Sequence, residues 1–123
     1  KHKLIPAFKY AFNGLFRFFK TERNGRIELI CAFIIIGFAF YFKCNGMEWI
    51  AILLCIAIVL ATEMFNSAIE KICNLIQPEF NKNIQYIKDV SAAAVLFCSI
   101  ISLIIAAIIF FPKIWIYFNS SLH

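Results

Sequence analysis

Charge is what this sequence has least of. Of its 123 residues only 15% are Asp, Glu, Lys or Arg, against 63% apolar residues, a balance far too greasy for an ordinary soluble domain. No GxxxxGK[ST] loop, kinase-type GxGxxG or HExxH occurs, which excludes the usual soluble nucleotide folds and zinc hydrolases as templates. The five cysteines, Cys31, Cys44, Cys55, Cys73 and Cys98, form no CxxC and no Cys/His cluster. They read as small hydrophobes, neither metal ligands nor a disulfide framework. The basic start is followed by an amphipathic stretch without a small-residue cleavage site, so no cleavable signal peptide is expected there.

What is present is apolar sequence in long runs. Three segments, roughly Ile27 to Phe42, Trp49 to Ala68 and Val90 to Phe111, are long enough with their flanks to cross a hydrocarbon core about 30 Å thick. The expected fold is a single all-α membrane domain. Its membrane helices cover 27–42, 49–76 and 88–111, the second and third extending into the cytoplasm, and the short first span must tilt or use its flanks. Of the 12 Lys and Arg, seven precede the first span and three lie between the second and third, leaving Lys43 and Lys113 for the other side. The positive-inside rule then puts the N-terminus and the second loop in the cytoplasm and the C-terminus outside.

Ahead of the spans, residues 6–20 have a helical period. Phe8, Ala11, Phe12, Leu15, Phe16, Phe18 and Phe19 share one arc, and Lys9, Tyr10, Asn13, Arg17 and Lys20 fall on the other. Such a helix is expected to lie in the membrane surface. Asn24-Gly25 reads as the bend into the first span, and Asn45-Gly46 as the turn into the second. Pro112-Lys113 reads as the end of the third.

The most informative stretch is Glu63-Met64-Phe65-Asn66-Ser67-Ala68-Ile69-Glu70. Glu63, Asn66 and Glu70 stand at i, i+3 and i+7, one polar helix face at the end of an apolar run. Ionisable groups beside a membrane span are costly and mark a functional-site hypothesis by default. Glu63 lies about 21 Å along the helix from Trp49, near the edge of the hydrocarbon, and Glu70 about 10 Å further, towards water. Six of the seven acids, Glu22, Glu28, Glu63, Glu70, Glu79 and Asp89, fall on the inferred cytoplasmic side. Together with Lys88 they invite a divalent cation and a polyphosphate, since Mg²⁺ takes one or two carboxylates and leaves its other positions to water and phosphate. Two plainer readings stand beside this one. Glu22 and Glu28 can be headgroup-level charges balancing Arg23 and Arg26, and Asp89 can cap the third helix.

Glu63-x-x-Asn66-Ser67-Ala68-Ile69-Glu70, followed by Lys88-Asp89-Val90 and preceded by Phe8-Lys9-Tyr10-Ala11-Phe12 and Glu22-Arg23-Asn24, resembles the prokaryotic diacylglycerol kinase family, undecaprenol kinases included. The resemblance covers nearly the whole chain. It implies a homotrimer with active sites shared between protomers, and transfer of the ATP γ-phosphoryl group to a membrane lipid hydroxyl. On that analogy Glu63 is the general base, Asn66 orients the reacting centre, and Glu22 and Glu70 hold Mg²⁺ with the nucleotide. Lys3, Tyr10, Glu79, Lys88 and Asp89 would contact ATP, with Glu28 beside the lipid. The chain departs from the family pattern at Asn74, commonly Asp, at Asn81, commonly His, and in lacking a Gly after Asp89. The Glu-Arg-Asn and Lys-Asp-Val-Ser-Ala-Ala runs resemble the undecaprenol kinase branch more closely, which makes undecaprenol the first expected acceptor and diacylglycerol the alternative. The rival class is a small oligomeric transporter or assembly subunit. A transporter would be expected to carry its key carboxylate near the bilayer midplane, whereas these acids gather at one edge.

Overall fold

The computed structural model describes residues 4–76 and 79–121 of the chain, and these form four helices. They are α1 (Leu4–Thr21), α2 (Arg23–Tyr41), α3 (Gly46–Ile76) and α4 (Lys82–Ser121). The last three are long and apolar enough to span a membrane. At 1.5 Å per residue, α3 measures about 46 Å and α4 about 60 Å, so both outreach a hydrocarbon layer of about 30 Å. Interior burial is sparse, because a helix facing lipid has no need to hide its apolar side chains. Ala39, Ile52, Ile109 and Phe110 pack where α2, α3 and α4 meet near the α2–α3 turn. Ala39 is fully buried there, and a side chain that small lets the helices approach closely.

Three local signals resolve differently from the sequence expectation. The break between α1 and α2 falls at Glu22, which alone has an extended backbone (φ −97°, ψ 113°), while Asn24 and Gly25 are already helical. Gly25 serves packing instead: a Cβ there would come 2.5 Å from Phe18 Cε2. Phe18, expected on the lipid-facing arc of α1, is accordingly buried, whereas Phe8, Phe12 and Phe16 remain exposed. At the far end, Pro112 lies inside α4, and the helix continues to Ser121. One missing backbone N–H is tolerated there, although it deprives the Ile108 carbonyl of its usual donor.

The α2–α3 turn is tied at its helix start. The Asn45 amide N–H donates to Glu48 Oε1 (3.0 Å) and the Glu48 N–H to Asn45 Oδ1 (2.9 Å), a reciprocal capping box. Glu48 also pairs with Lys113 Nζ at 3.0 Å, joining the start of α3 to the C-terminal part of α4.

Candidate active site

At the opposite end of the bundle, Glu63 on α3 is buried, with 8% of its surface exposed, the only buried charged side chain among the described residues. Glu28 and Glu22 from the start of α2 and Glu70 from α3 are the charged groups close enough to act on it electrostatically. Two carboxylates on α3, one on α2 and one at the α1–α2 joint are thus gathered toward this end of the bundle. Acidic neighbours are costly for a carboxylate as buried as Glu63, unless cations are brought among them.

Hydrogen bonds orient the cluster. Ser67 Oγ donates to Glu22 Oε1 at 2.7 Å, crossing from α3 to the α1–α2 joint. Glu22 occupies the N-cap position of α2 but makes no side-chain cap to its own helix. Its carboxylate is turned to α3, so it is no mere headgroup-level charge. One turn along α3, Asn66 Nδ2 donates to Glu70 Oε1 at 3.3 Å. Because a carboxylate only accepts, this bond fixes which end of the amide faces Glu70. Asn66 Oδ1 is left buried with no hydrogen-bond partner among the described residues. An acceptor so placed costs about 1–3 kcal/mol until a donor reaches it.

The donor chemistry fits Mg²⁺. Glu22 and Glu70 each hold one carboxylate oxygen in a bond from a neighbour and keep further accepting capacity. Among the described residues no group of three or more His, Cys, Asp or Glu side chains is placed to hold a metal ion by itself. Mg²⁺ asks for no such group, since it is normally bound by one or two carboxylates and completed by water and phosphate oxygens.

A second group of residues lies further along α3 and on α4. Lys88 Nζ donates to Asn74 Oδ1 at 2.7 Å, and Asp89 Oδ1 accepts from Gln85 Nε2 at 2.8 Å. Asn74 follows Glu70 by one helical turn on α3, so Lys88 is held near the Glu70 end of the polar face. Asp89 is not a helix cap: α4 begins at Lys82, and Asn81 caps it, its Oδ1 accepting from the N–H groups of Asn83 (2.9 Å) and Ile84 (3.3 Å). Tyr10 and Glu79 are exposed, and neither side chain is hydrogen-bonded to the cluster among the described residues. Lys3 lies outside the described residues.

Below the carboxylates an apolar groove of about 240 Å³ runs between α2, α3 and α4. Glu28 and Leu60 line its end nearer Glu63, and Ile35, Ile52 and Ala106 line it nearer the α2–α3 turn. Sequence reasoning missed the contribution of Ser67. Ser67 sits in the same heptapeptide as Glu63 and Glu70, yet nothing in the sequence says which helix it faces.

Comparison with known proteins agrees with this layout. The family model for prokaryotic diacylglycerol kinase matches residues 9–110. An undecaprenol kinase of Bacillus subtilis is 30% identical, with 92% of each chain covered. A diacylglycerol kinase of Haemophilus influenzae is 31% identical over 88% of this chain and 92% of its own, and one of Escherichia coli is 26% identical over 95% and 93%. With the family match spanning both the Glu63 cluster and the Lys88 group, the chain belongs to the prokaryotic diacylglycerol kinase family, and is thus a membrane lipid kinase, an ATP-using phosphotransferase with an alcohol acceptor.

Proposed function

We propose that the chain phosphorylates undecaprenol in preference to diacylglycerol, with Glu63 as the general base and Mg²⁺-ATP as the donor. The observation that carries the chemistry is the buried Glu63 carboxylate among Glu22, Glu28 and Glu70, with the unpartnered Asn66 Oδ1 beside them. Glu63 takes the proton of the lipid hydroxyl as its oxygen bonds to the γ-phosphorus. The bond from that phosphorus to the β–γ bridging oxygen breaks, and ADP leaves. Asn66 Oδ1 accepts a hydrogen bond from water around the reacting group. Phosphoryl transfer is chiefly positioning plus neutralisation of charge, so little more covalent chemistry is asked of the protein.

Glu22 and Glu70 would hold Mg²⁺, which when bound neutralises charge on the transferring phosphate. Lys88 and Asp89, with Tyr10, Glu79 and Lys3, would engage the nucleotide. Glu28 stands at the mouth of the apolar groove, where the lipid chain would lie while its hydroxyl points at Glu63. The preference for undecaprenol rests on Glu22-Arg23-Asn24 and the run from Lys88 to Ala93. The family resemblance supports a homotrimer, and the exposed Phe8, Phe12 and Phe16 support α1 lying along the membrane surface. The distribution of Lys and Arg supports a bacterial cytoplasmic membrane location with the site on the cytoplasmic side.

The test is transfer of labelled phosphate from ATP by purified protein in mixed micelles, offering undecaprenol and diacylglycerol in parallel. More label in polyprenyl phosphate than in phosphatidic acid is expected. The reverse order overturns the substrate preference, and no label in either lipid from folded protein overturns the proposed acceptors.

A further inference from the structure

We infer that Ser67 and Arg26 are positioning residues that fix the Glu22 carboxylate over α3, so that the joint between α1 and α2 is part of the phosphoryl-transfer apparatus. The inference rests on the reading of Glu22 as a ligand of the metal–nucleotide complex.

Glu22 is the single non-helical residue between two helices, a place where a side chain would ordinarily wander. Here it is held from three directions. Its N–H donates to Phe18 O at 2.8 Å, and its carbonyl accepts from the Arg26 N–H at 3.2 Å, so the backbone is bonded into both helices. Arg26 Nη1 reaches back and donates to Phe19 O (3.1 Å) and Lys20 O (2.7 Å). Those carbonyls belong to the last turn of α1, where no helical N–H remains to satisfy them, and a cation suits that end of a helix. Phe18 completes the bracket by filling the notch that Gly25 leaves open. With the backbone so fixed, Ser67 Oγ engages Glu22 Oε1 and leaves the carboxylate further accepting capacity for a ligand.

Neither Ser67 nor Arg26 carries chemistry of its own in this arrangement. A serine at a half-buried helix position usually bonds back to its own helix, as Thr62 does to Ile58 and Val59. Ser67 instead spends its hydroxyl on a carboxylate from another element, at 2.7 Å. Arg26 is exposed, yet its guanidinium is committed to backbone carbonyls and not to an acidic neighbour.

The experiment is a Mg²⁺ titration of kinase activity in mixed micelles for the full chain and four variants, Ser67→Ala, Ser67→Thr, Arg26→Gln and Glu22→Gln, with thermal midpoints measured in parallel. Ser67→Ala is expected to raise the Mg²⁺ concentration for half-maximal activity roughly tenfold, the size of a lost hydrogen bond to a charged group. The KM for lipid and the thermal midpoint should stay near those of the parent. Ser67→Thr keeps the hydroxyl and should restore the parental Mg²⁺ dependence, and Arg26→Gln should shift it in the same direction as Ser67→Ala. If Glu22→Gln loses Mg²⁺ activation while Ser67→Ala and Arg26→Gln titrate like the parent, the positioning inference is overturned. If Glu22→Gln itself titrates like the parent, the metal role of Glu22 fails, and with it the inference. A Ser67→Ala defect in kcat alone that Ser67→Thr does not restore would also overturn it.

Discussion

Lys88 on α4 is bonded to Asn74 on α3, Nζ to Oδ1 at 2.7 Å, and this contact ties the foot of α4 to the end of the carboxylate-bearing helix. Asn74 stands where the family pattern commonly has an aspartate, so here the lysine is held by a neutral acceptor. Restoring the acid with Asn74→Asp converts the contact to an exposed ion pair, worth about 0–1 kcal/mol in stability. It should nevertheless draw the ammonium away from the nucleotide. The expected outcome is a several-fold rise in KM for ATP with kcat retained, the pattern of lost uniform binding. Steady-state kinetics in micelles would measure it, and an unchanged KM would remove Lys88 from the list of nucleotide contacts.

Glu63→Gln keeps the shape of the side chain and removes its basicity. A positioned general base contributes typically about 10²–10⁴ in rate, so kcat should fall by that order. Loss of one charge from a crowded acidic cluster should not lower the thermal midpoint. A variant with near-parental turnover would mean that the lipid hydroxyl loses its proton elsewhere.

Glu70→Gln is a test of metal holding at the watery end of the same face. Its loss should raise the Mg²⁺ requirement by at least the ~10–100-fold that outer partners of a metal site typically cost when mutated. Because Asn66 Nδ2 can still donate to the glutamine oxygen, the local hydrogen bond survives and the change reports on charge. Retention of the parental Mg²⁺ dependence would assign the ion to other ligands.

Much of this site could be read from sequence because it is local to one helix. Glu63, Asn66 and Glu70 share a face by spacing alone, and the three apolar runs announce their spans by length. The parts that escaped depend on how separate elements meet. Glu22 faces α3 because the joint of α1 and α2 is built around Phe18, Gly25 and Arg26, and no periodicity encodes that. Phe18 follows the same helical period as Phe8 and Phe12, yet it alone of the three turns inward, since it alone reaches the notch at Gly25. Asp89 resembled a helix start because the polar stretch before it hid six further residues of helix, from Lys82 to Ile87, led by a better cap at Asn81. Pro112 resembled a helix end, but flanking turns of α4 absorb a single missing donor.

The capping box at the α2–α3 turn should matter for stability and not for chemistry. Asn45→Ala removes the acceptor of the Glu48 N–H, at a typical cost of about 1 kcal/mol for a lost N-cap. A lower thermal midpoint in detergent with unchanged Mg²⁺ and ATP dependence is expected. A shift in either dependence would show that this end of the bundle communicates with the carboxylates.

Cys44 offers a titration at the same turn. Burial pushes its thiol above the usual range, the neighbouring Glu48 charge raises it further, and Lys113 partly offsets both. Since the thiolate is the reactive form, a raised value means less thiolate at any given pH. In a variant retaining Cys44 as its sole cysteine, maleimide labelling should therefore be slow near neutrality and accelerate steadily into the alkaline range. Lys113→Ala removes the stabilising cation and should move the rate profile to higher pH, whereas Glu48→Gln removes the opposing anion and should move it lower. Shifts in the opposite senses, or none in either variant, would mean that the 3.0 Å pair between Lys113 and Glu48 does not set the field at this turn.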